Sequence, residues 1–317
     1  MKRLTEVLNP TSRIPVLRCL TVAAMAVLLW HAEGQAQQEW GYSQYQFNLF
    51  DINGAYAGNH ESASFALRYR KQWAGISGAP ETQSLSIHTP VSGSTTAAGL
   101  RVRRETIGAR TVFHARITGV FKVRMGDGKL GAAITAGLLH QDFNATDLNV
   151  KDENDPFLSQ AIWRSNTPTV DFSLMYTSNR FYAGIESGNL NKDLFRWNES
   201  SFARLYTHLL ATAGWMKKVS DNDLLQFSGL AKLSEGSVYQ AEASISFLWN
   251  NQFWIGSGYR FKYGVVFFTE WNISDQWRLG YSFDLAVNQL SPYENGSHEI
   301  FLGFNLGKKH PPSIRYF

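Results

Sequence analysis

After position 36 the chain alternates apolar and polar residues with a period of two, and helical periodicity is hard to find anywhere. That period sends successive side chains to opposite faces of an extended strand. In ASFALRYRKQW (63–73), Phe65, Leu67, Tyr69 and Trp73 share one face, and Ser64, Ala66, Arg68, Arg70 and Gln72 the other. The same alternation runs through 109–123, 129–141, 169–177, 238–249, 276–287 and 297–307. Weaker stretches near 82–88, 98–104, 180–187, 205–219, 223–233, 252–261 and 263–272 bring the total to about fourteen strands, an even number as bacterial barrels have. The roughly 280 residues after position 36 allow about 20 per strand and connection, and a strand of about ten spans a tilted barrel wall. The expected fold is all-β: an antiparallel transmembrane β-barrel of about 14 strands.

The N-terminus points to export. Lys2, Arg3, Arg13 and Arg18 precede the apolar run LTVAAMAVLLW, which is too short to span a bilayer, and Gly34-Gln35-Ala36 offers small residues for cleavage. The expected organisation is a cleaved signal peptide at 1–36, an N-terminal segment at the barrel mouth at 37–60, and a barrel at 61–317. Cys19, the single cysteine, precedes the apolar run, so the exported chain holds no disulfide and rests on hydrogen bonding and packing. Beyond the leader, 26 basic residues face 24 acidic ones, a balance that does not argue for nucleic acid.

Aromatic residues make up 14% of the chain and cluster at strand ends: Trp40/Tyr42, Trp73, Phe181/Tyr182, Trp249, Phe253/Trp254, Trp271 and Trp277/Tyr281. Girdles at a membrane interface would place them there. The faces opposite the apolar ones suit a wet lumen. The chain ends on Phe317, a common mark of outer-membrane barrels. A soluble periplasmic sandwich or propeller is the alternative, and no 40–50-residue repeat favours a propeller. Polar stretches at 147–166 and 186–204 read as long loops.

Catalytic chemistry is sparse. Seven histidines follow the leader, none in a metal-binding spacing, and no cofactor motif is present. The tract Ser297-His298-Glu299 suggests a nucleophile and base, but neighbours in a strand face opposite ways, so polar girdle residues at a turn are the better reading. The stretch KQWAGISGAPETQSLSIHTP (71–90) holds Gln72-Trp73 and the hinge residues Gly75, Gly78 and Pro80. Glycine admits positive φ, and the residue before proline favours extended backbone. The tract reads as a fixed bend between two strands, with Trp73 at an interface.

These motifs together resemble the PorP/SprF-like outer-membrane proteins of the Bacteroidetes type IX secretion system. The resemblance runs in order from about residue 44 to 317. It rests on Asn53, Tyr56 and Gly58 in NGAYAG; on Gln72, Trp73, Gly75, Gly78, Pro80, His88 and Pro90; on Tyr259 and Arg260; on Tyr293, Gly296, Ser297, His298 and Glu299; and on the closing Arg315, Tyr316 and Phe317. Gly54 stands where the family usually has proline, Ser187-Gly188-Asn189 where a Pro-His pair is common, and Lys262-Tyr263 where Asp-Ala often follows. The resemblance implies an integral barrel in outer-membrane lipid, not an enzyme, linked to secretion or surface attachment of proteins carrying a type IX C-terminal signal. It implies gliding motility in some members, and either periplasmic ring and peptidoglycan-binding components as partners or one dedicated surface protein.

Docking of a secreted protein therefore stands first. A passive porin fits the alternation equally well, and a barrel enzyme would need a site assembled from scattered strands. A docking barrel should be plugged and electrically silent, and a porin should conduct.

Overall fold

The computed structural model describes residues 41–60, 62–92, 95–144, 162–191, 207–234 and 240–307. The leader, Trp40 of the girdle reading, and the closing Arg315, Tyr316 and Phe317 lie outside these. Period-two alternation becomes strand throughout. The first half comprises β1 (Ser64–Lys71), β2 (Glu81–Ser92), β3 (Thr96–Ile107), β4 (Arg110–Met125), β5 (Gly128–Asn144), β6 (Ile162–Thr177) and β7 (Phe181–Gly188). The second comprises β8 (His208–Lys218), β9 (Leu224–Ser234), β10 (Gln240–Trp249), β11 (Phe253–Arg260), β12 (Gly264–Asn272), β13 (Trp277–Ala286) and β14 (Ser297–Asn305). Each strand pairs antiparallel with its neighbours in the chain, and β1 closes the ring on β14. Phe65 lies opposite Phe304 across that seam, and Arg70 opposite Glu299. Closure satisfies the backbone polar groups that lipid could not.

The alternation points outward with its apolar side. Leu67, Ile117, Ile134 and Ile255 are 50%, 67%, 65% and 64% exposed, whereas Arg68, Arg70, Asp284 and Glu299 are buried. An apolar band with a polar interior is the arrangement that a bilayer requires.

The two rims differ. One carries the turns 126–127, 178–180, 219–223, 250–252 and 273–276, together with the end of β2, the starts of β3 and β1, and the end of β14. The other carries the connections 72–80, 108–109, 261–263 and 287–296 and the strand ends between which 17, 19 and 5 residues of sequence separate β5 from β6, β7 from β8 and β9 from β10. Outer-membrane barrels keep short turns in the periplasm and long loops outside, so the second rim is the outer one. Of the loops read at 147–166 and 186–204, residues 162–166 belong to β6 and 186–188 to β7, and 147–161 and 192–204 lie outside the described residues. Above Leu138 the outward residues of β5 and β6 turn polar, with His140 bonded to Asn166 at 2.7 Å and Arg164 beside Asp142 at 3.4 Å.

The aromatic girdle lies at the short-turn rim. Trp215 stacks on Phe227 at 5.9 Å, Phe253 on Trp271 at 5.9 Å, and Trp277 meets Phe304 at 4.5 Å. Three residues read as girdle are not. Tyr42, Tyr182 and Trp254 are buried in the interior. Adjacent residues face opposite ways, so only one of Phe181/Tyr182 and one of Phe253/Trp254 can face lipid. Trp73 is half-buried in the β1–β2 connection.

The interior is filled. Residues 41–60 fold within it as three single 3-10 turns, Tyr45–Phe47, Leu49–Asp51 and Gly54–Tyr56. Their apolar side chains form the buried core: Tyr45, Leu49, Phe50 and Ala57 are at most 1% exposed. Phe47 lies 6.1 Å from Trp254 and 5.7 Å edge-on to Phe268.

Gly99 in β3 tests this packing, since a Cβ there would lie 2.3 Å from Phe50 Cζ. Overpacking of this kind costs about 1–3 kcal/mol. Gly99→Val should lower the denaturant midpoint of tryptophan emission accordingly. Gly119→Val, where an added Cβ meets nothing within 4 Å, should leave it unchanged. Equal midpoints for the two variants would contradict the placement of Phe50.

Candidate functional site

The interior strands bring two groups of ion pairs against the enclosed segment. The first lies under the outer rim. Arg68 pairs with Asp51 at 2.6 Å and with Glu299 at 3.2 Å. Arg70 pairs with Asp284 at 2.6 Å and with Glu299 at 3.3 Å. Arg260 pairs with Glu242 at 2.7 Å and with Asp284 at 2.9 Å. Outside this group, near the short-turn rim, Arg278 meets Glu270 at 3.5 Å. Into this group the segment inserts Ser43. Its backbone N–H donates to Glu299 Oε2 at 3.0 Å, and that of Gln44 donates to Glu299 Oε1 at 3.1 Å. The Ser43 hydroxyl donates to Asp284 at 2.7 Å and accepts from Arg70 at 2.6 Å. Tyr42 lies beneath the Arg68 guanidinium, 4.0 Å from its ring centre. Buried charges persist only when paired and hydrogen-bonded. The enclosed segment supplies part of that pairing.

The second group lies across the lumen. Arg101 pairs with Glu186 at 3.2 Å, and Arg116 with Asp171 at 3.6 Å. Gly54 N–H donates to Glu186 Oε2 at 2.6 Å. Asn53 accepts from Ala55 N–H at 3.0 Å and donates to the carbonyls of Leu174 and Ile185 at 3.1 and 3.0 Å. Proline at position 54 could not make the bond to Glu186, because it has no N–H. The departure at Gly54 therefore supplies an extra anchor. Towards the short-turn rim, Gly58 N–H donates to His88 Nδ1 at 3.1 Å, His60 stacks on His88 at 5.5 Å, and Lys122 donates to Asn59. Gly58 has φ +71, and a Cβ there would lie 2.3 Å from that of Ala97 and 3.5 Å from the Pro90 backbone. Position 58 thus needs glycine both for its dihedral and for space.

The connection at 72–80 is tied to its neighbours. Gln72 N–H donates to Pro80 O at 2.9 Å, closing the bend on itself. Ala74 N–H donates to Gly296 O at 2.8 Å, Asn295 N–H returns to Ala74 O at 2.7 Å, and Gly108 N–H donates to Gly78 O at 2.8 Å. Trp73 N–H donates to Ser297 Oγ at 3.0 Å, and that hydroxyl also bonds Tyr263 at 3.0 Å. Gly75, Gly78 and Gly296 have φ of +98, +71 and +86, and Trp73 shares the left-handed region at +47. Gly78 and Gly108 pass close to one another, with 3.2 Å left for an added Cβ at Gly78.

The residues singled out in the sequence mostly converge. Asn53, Tyr56 and Gly58 belong to the enclosed segment, and His88 and Pro90 lie against it. Arg260 and Glu299 anchor its outer end, and Gln72, Trp73, Gly75, Gly78, Pro80, Gly296 and Ser297 build the rim above it. Tyr259, Tyr293 and His298 stand apart. Tyr259 and Tyr293 are 52% and 75% exposed, and His298 faces outward and bonds Tyr281 at 2.8 Å. Ser297 is fully buried and points into the lumen, so it is not a girdle residue. Sequence reasoning missed Ser43, Gln44, Arg68, Arg70, Glu186 and Asp284. Arginines and carboxylates recurring on inward positions were visible, but their cross-lumen partners depend on barrel closure. Among the described residues no cluster of histidine, cysteine and carboxylate groups could hold a metal ion.

A family model described as "Type IX secretion system membrane protein PorP/SprF" matches residues 34–304. No curated protein matches the chain. Among solved structures, the chain is similar to outer membrane protein Omp33 of Acinetobacter baumannii at 8% identity, with 78% of this chain and 99% of that one covered and a TM-score of 0.46. It is similar to KdgM porin at 7% identity, with 78% and 99% covered and a TM-score of 0.38. It is also similar to BamA from Haemophilus ducreyi lacking POTRA domains 1–3, at 9% identity, with 78% and 71% covered and a TM-score of 0.44.

Glu299 joins both β1 arginines to two amides of the enclosed segment, so Glu299→Gln should be severe. Removing one partner of a buried pair costs about 3–5 kcal/mol. The measurement is the temperature at which the unboiled barrel loses its fast gel mobility. Glu81→Gln, which breaks the exposed pair with Lys71 (2.8 Å), should shift it far less. Similar shifts would show that the Glu299 contacts are unimportant.

Proposed function

We propose that this chain, which belongs to the PorP/SprF family of type IX secretion system membrane proteins, holds a secreted surface protein on its outer rim rather than passing it through the lumen. The chain is an outer-membrane β-barrel associated with type IX secretion. The observation that carries the docking reading is the enclosed segment 41–60. It occupies the interior and is hydrogen-bonded to opposite walls through Glu299 and Glu186. A polypeptide crossing the lumen would have to break both anchors and the Phe47, Phe50 and Tyr56 packing.

The outer rim supports the same reading. Three connections are cross-linked by backbone hydrogen bonds, so the surface is held before any partner arrives. A preorganised surface loses little ordering entropy on binding. The motif residues have structural duties. Ser297 Oγ is engaged by Trp73 and Tyr263, and the carboxylates of Glu299 and Asp284 are engaged by arginines. We read the role as attachment, without catalysis. The partners by this reading are a protein bearing a type IX C-terminal signal and, on the periplasmic side, ring or peptidoglycan-binding components.

Purification of tagged protein from detergent-solubilised outer membrane, followed by mass spectrometry, should recover a large protein with such a C-terminal domain. In planar bilayers the intact chain should be electrically silent, and a variant lacking 41–56 should conduct. A solitary barrel that conducts when intact would favour the porin.

A further inference from the structure

The ladders around the ring are unequal. Among the described residues, β4 faces β5 over 16 pairs, β5 faces β6 over 16, and β1 faces β14 over eight. β6 and β7 share six, from Phe172 opposite Ser187 to Thr177 opposite Tyr182, fewer than any other two neighbours. Cross-strand pairs are the unit of sheet stabilisation, so this seam is the least supported in the wall. The enclosed segment meets the wall at the same place. Leu174 of β6 and Ile185 of β7 face each other, and the Asn53 side-chain amide donates to both of their carbonyls, at 3.1 and 3.0 Å. A carbonyl has two lone pairs, so each oxygen can accept from Asn53 and keep its ladder bond. The next two residues take one strand each. Gly54 N–H donates to Glu186 of β7 at 2.6 Å, and Ala55 N–H donates to the Ser173 hydroxyl of β6 at 3.0 Å. Ser173 and Glu186 are themselves a facing pair, next to Leu174 and Ile185. Gly184 makes the approach possible: a Cβ there would lie 2.8 Å from Asn53 Nδ2. Beyond the ladder, Asn189 N–H donates to Asp171 at 2.9 Å, and Asn191 accepts from Val170 N–H at 2.9 Å.

We propose that the β6–β7 seam is where this barrel parts, and that Asn53-Gly54-Ala55 is a clasp that holds it shut from inside. Lipid cannot satisfy the edge groups of two separated strands, so the seam is closed at rest. The clasp adds four bonds that straddle it, two from Asn53 and one each from Gly54 and Ala55. Parting the strands must break the Asn53 bond to one of them. Withdrawing the segment removes all four bonds and leaves six cross-strand pairs to hold the seam alone. The segment is thus a latch on one joint of the wall as well as a filling for the lumen. This inference holds whether or not the rim docks a protein.

Hydrogen exchange of the folded full-length barrel in detergent, read seam by seam, tests this. Ser178 N–H donates to Phe181 O, and the alternation of an antiparallel ladder then assigns the amides of Leu174, Tyr176, Ala183 and Ile185 to the β6–β7 seam. Leu306 N–H donates to Ala63 O, which likewise assigns Leu67, Tyr69, Ile300 and Leu302 to β1–β14. On warming the unsubstituted chain, the first set should lose protection before the second. Asn53→Leu keeps the bulk of the side chain and removes its donors. Two ordinary hydrogen bonds correspond to about tenfold or more in an equilibrium constant, so the first set should exchange faster by that factor, with the second unchanged. Phe172→Cys with Ser187→Cys, in protein carrying Cys19→Ser, places facing thiols across the seam. Facing Cα atoms about 5.5 Å apart lie within disulfide range. Once oxidised, this pair should return the Asn53→Leu seam to its protected rate. Fast mobility of the unboiled barrel confirms assembly of each variant. Loss of protection at β6–β7 together with or after β1–β14 in the unsubstituted chain would overturn the proposal. So would no rise or an equal rise at both seams in Asn53→Leu, or a rise that the disulfide does not reverse. Absence of a co-purified protein, with this exchange pattern intact, would count against the docking reading alone.

Discussion

The carboxylate of Glu299 holds the architecture together. It lies on the last strand, pairs with Arg68 and Arg70 on the first, and accepts the N–H groups of Ser43 and Gln44 from the segment inside. One group thus joins the seam of the barrel to its contents. Inward-facing charges create the need: a wall carrying Arg68, Arg70, Arg260, Arg278 and their acids must satisfy each charge away from bulk water. Hydrogen bonds to charged acceptors contribute roughly 1.5–3 kcal/mol each, so several together hold a short segment built only of single 3-10 turns.

The same economy links the interior to the rim. Ser297, two residues before Glu299, points into the lumen and accepts the Trp73 N–H. The turn that precedes it exchanges two backbone bonds with Ala74. The 72–80 connection is thus in hydrogen-bond contact with β14, and through Glu299 with Ser43. His60, stacked on His88 beside Tyr56, closes the other end.

The barrel was legible because alternation is a local property. Fourteen strands, their order and their inward and outward sets follow from period two, even where β7 and β11 are only eight residues long. The interior was not legible for the opposite reason. Residues 41–60 have no periodicity, and the partners of Ser43 lie 241 and 256 positions away along the chain. The aromatic pairs at strand ends misled only in part. Counting parity from Gly184 or Gly256 would have sent Tyr182 and Trp254 inward. Tyr42, outside any strand, carried no such clue. The NGAYAG tract, read as part of a segment at the barrel mouth, lies inside the barrel, and the QWxGxxGAP tract, read as a bend, lies above it.

Hydrogen exchange of the folded barrel in detergent tests the central claim most directly. If the lumen is closed by residues 41–60, the amides of Ser43, Gln44 and Gly54 should exchange as slowly as those of the strands around them, because opening them requires loss of buried ion-pair contacts. Exchange of these amides at the rate of an exposed turn such as 273–276, with the strands still protected, would show that the segment is not held inside and would contradict the account.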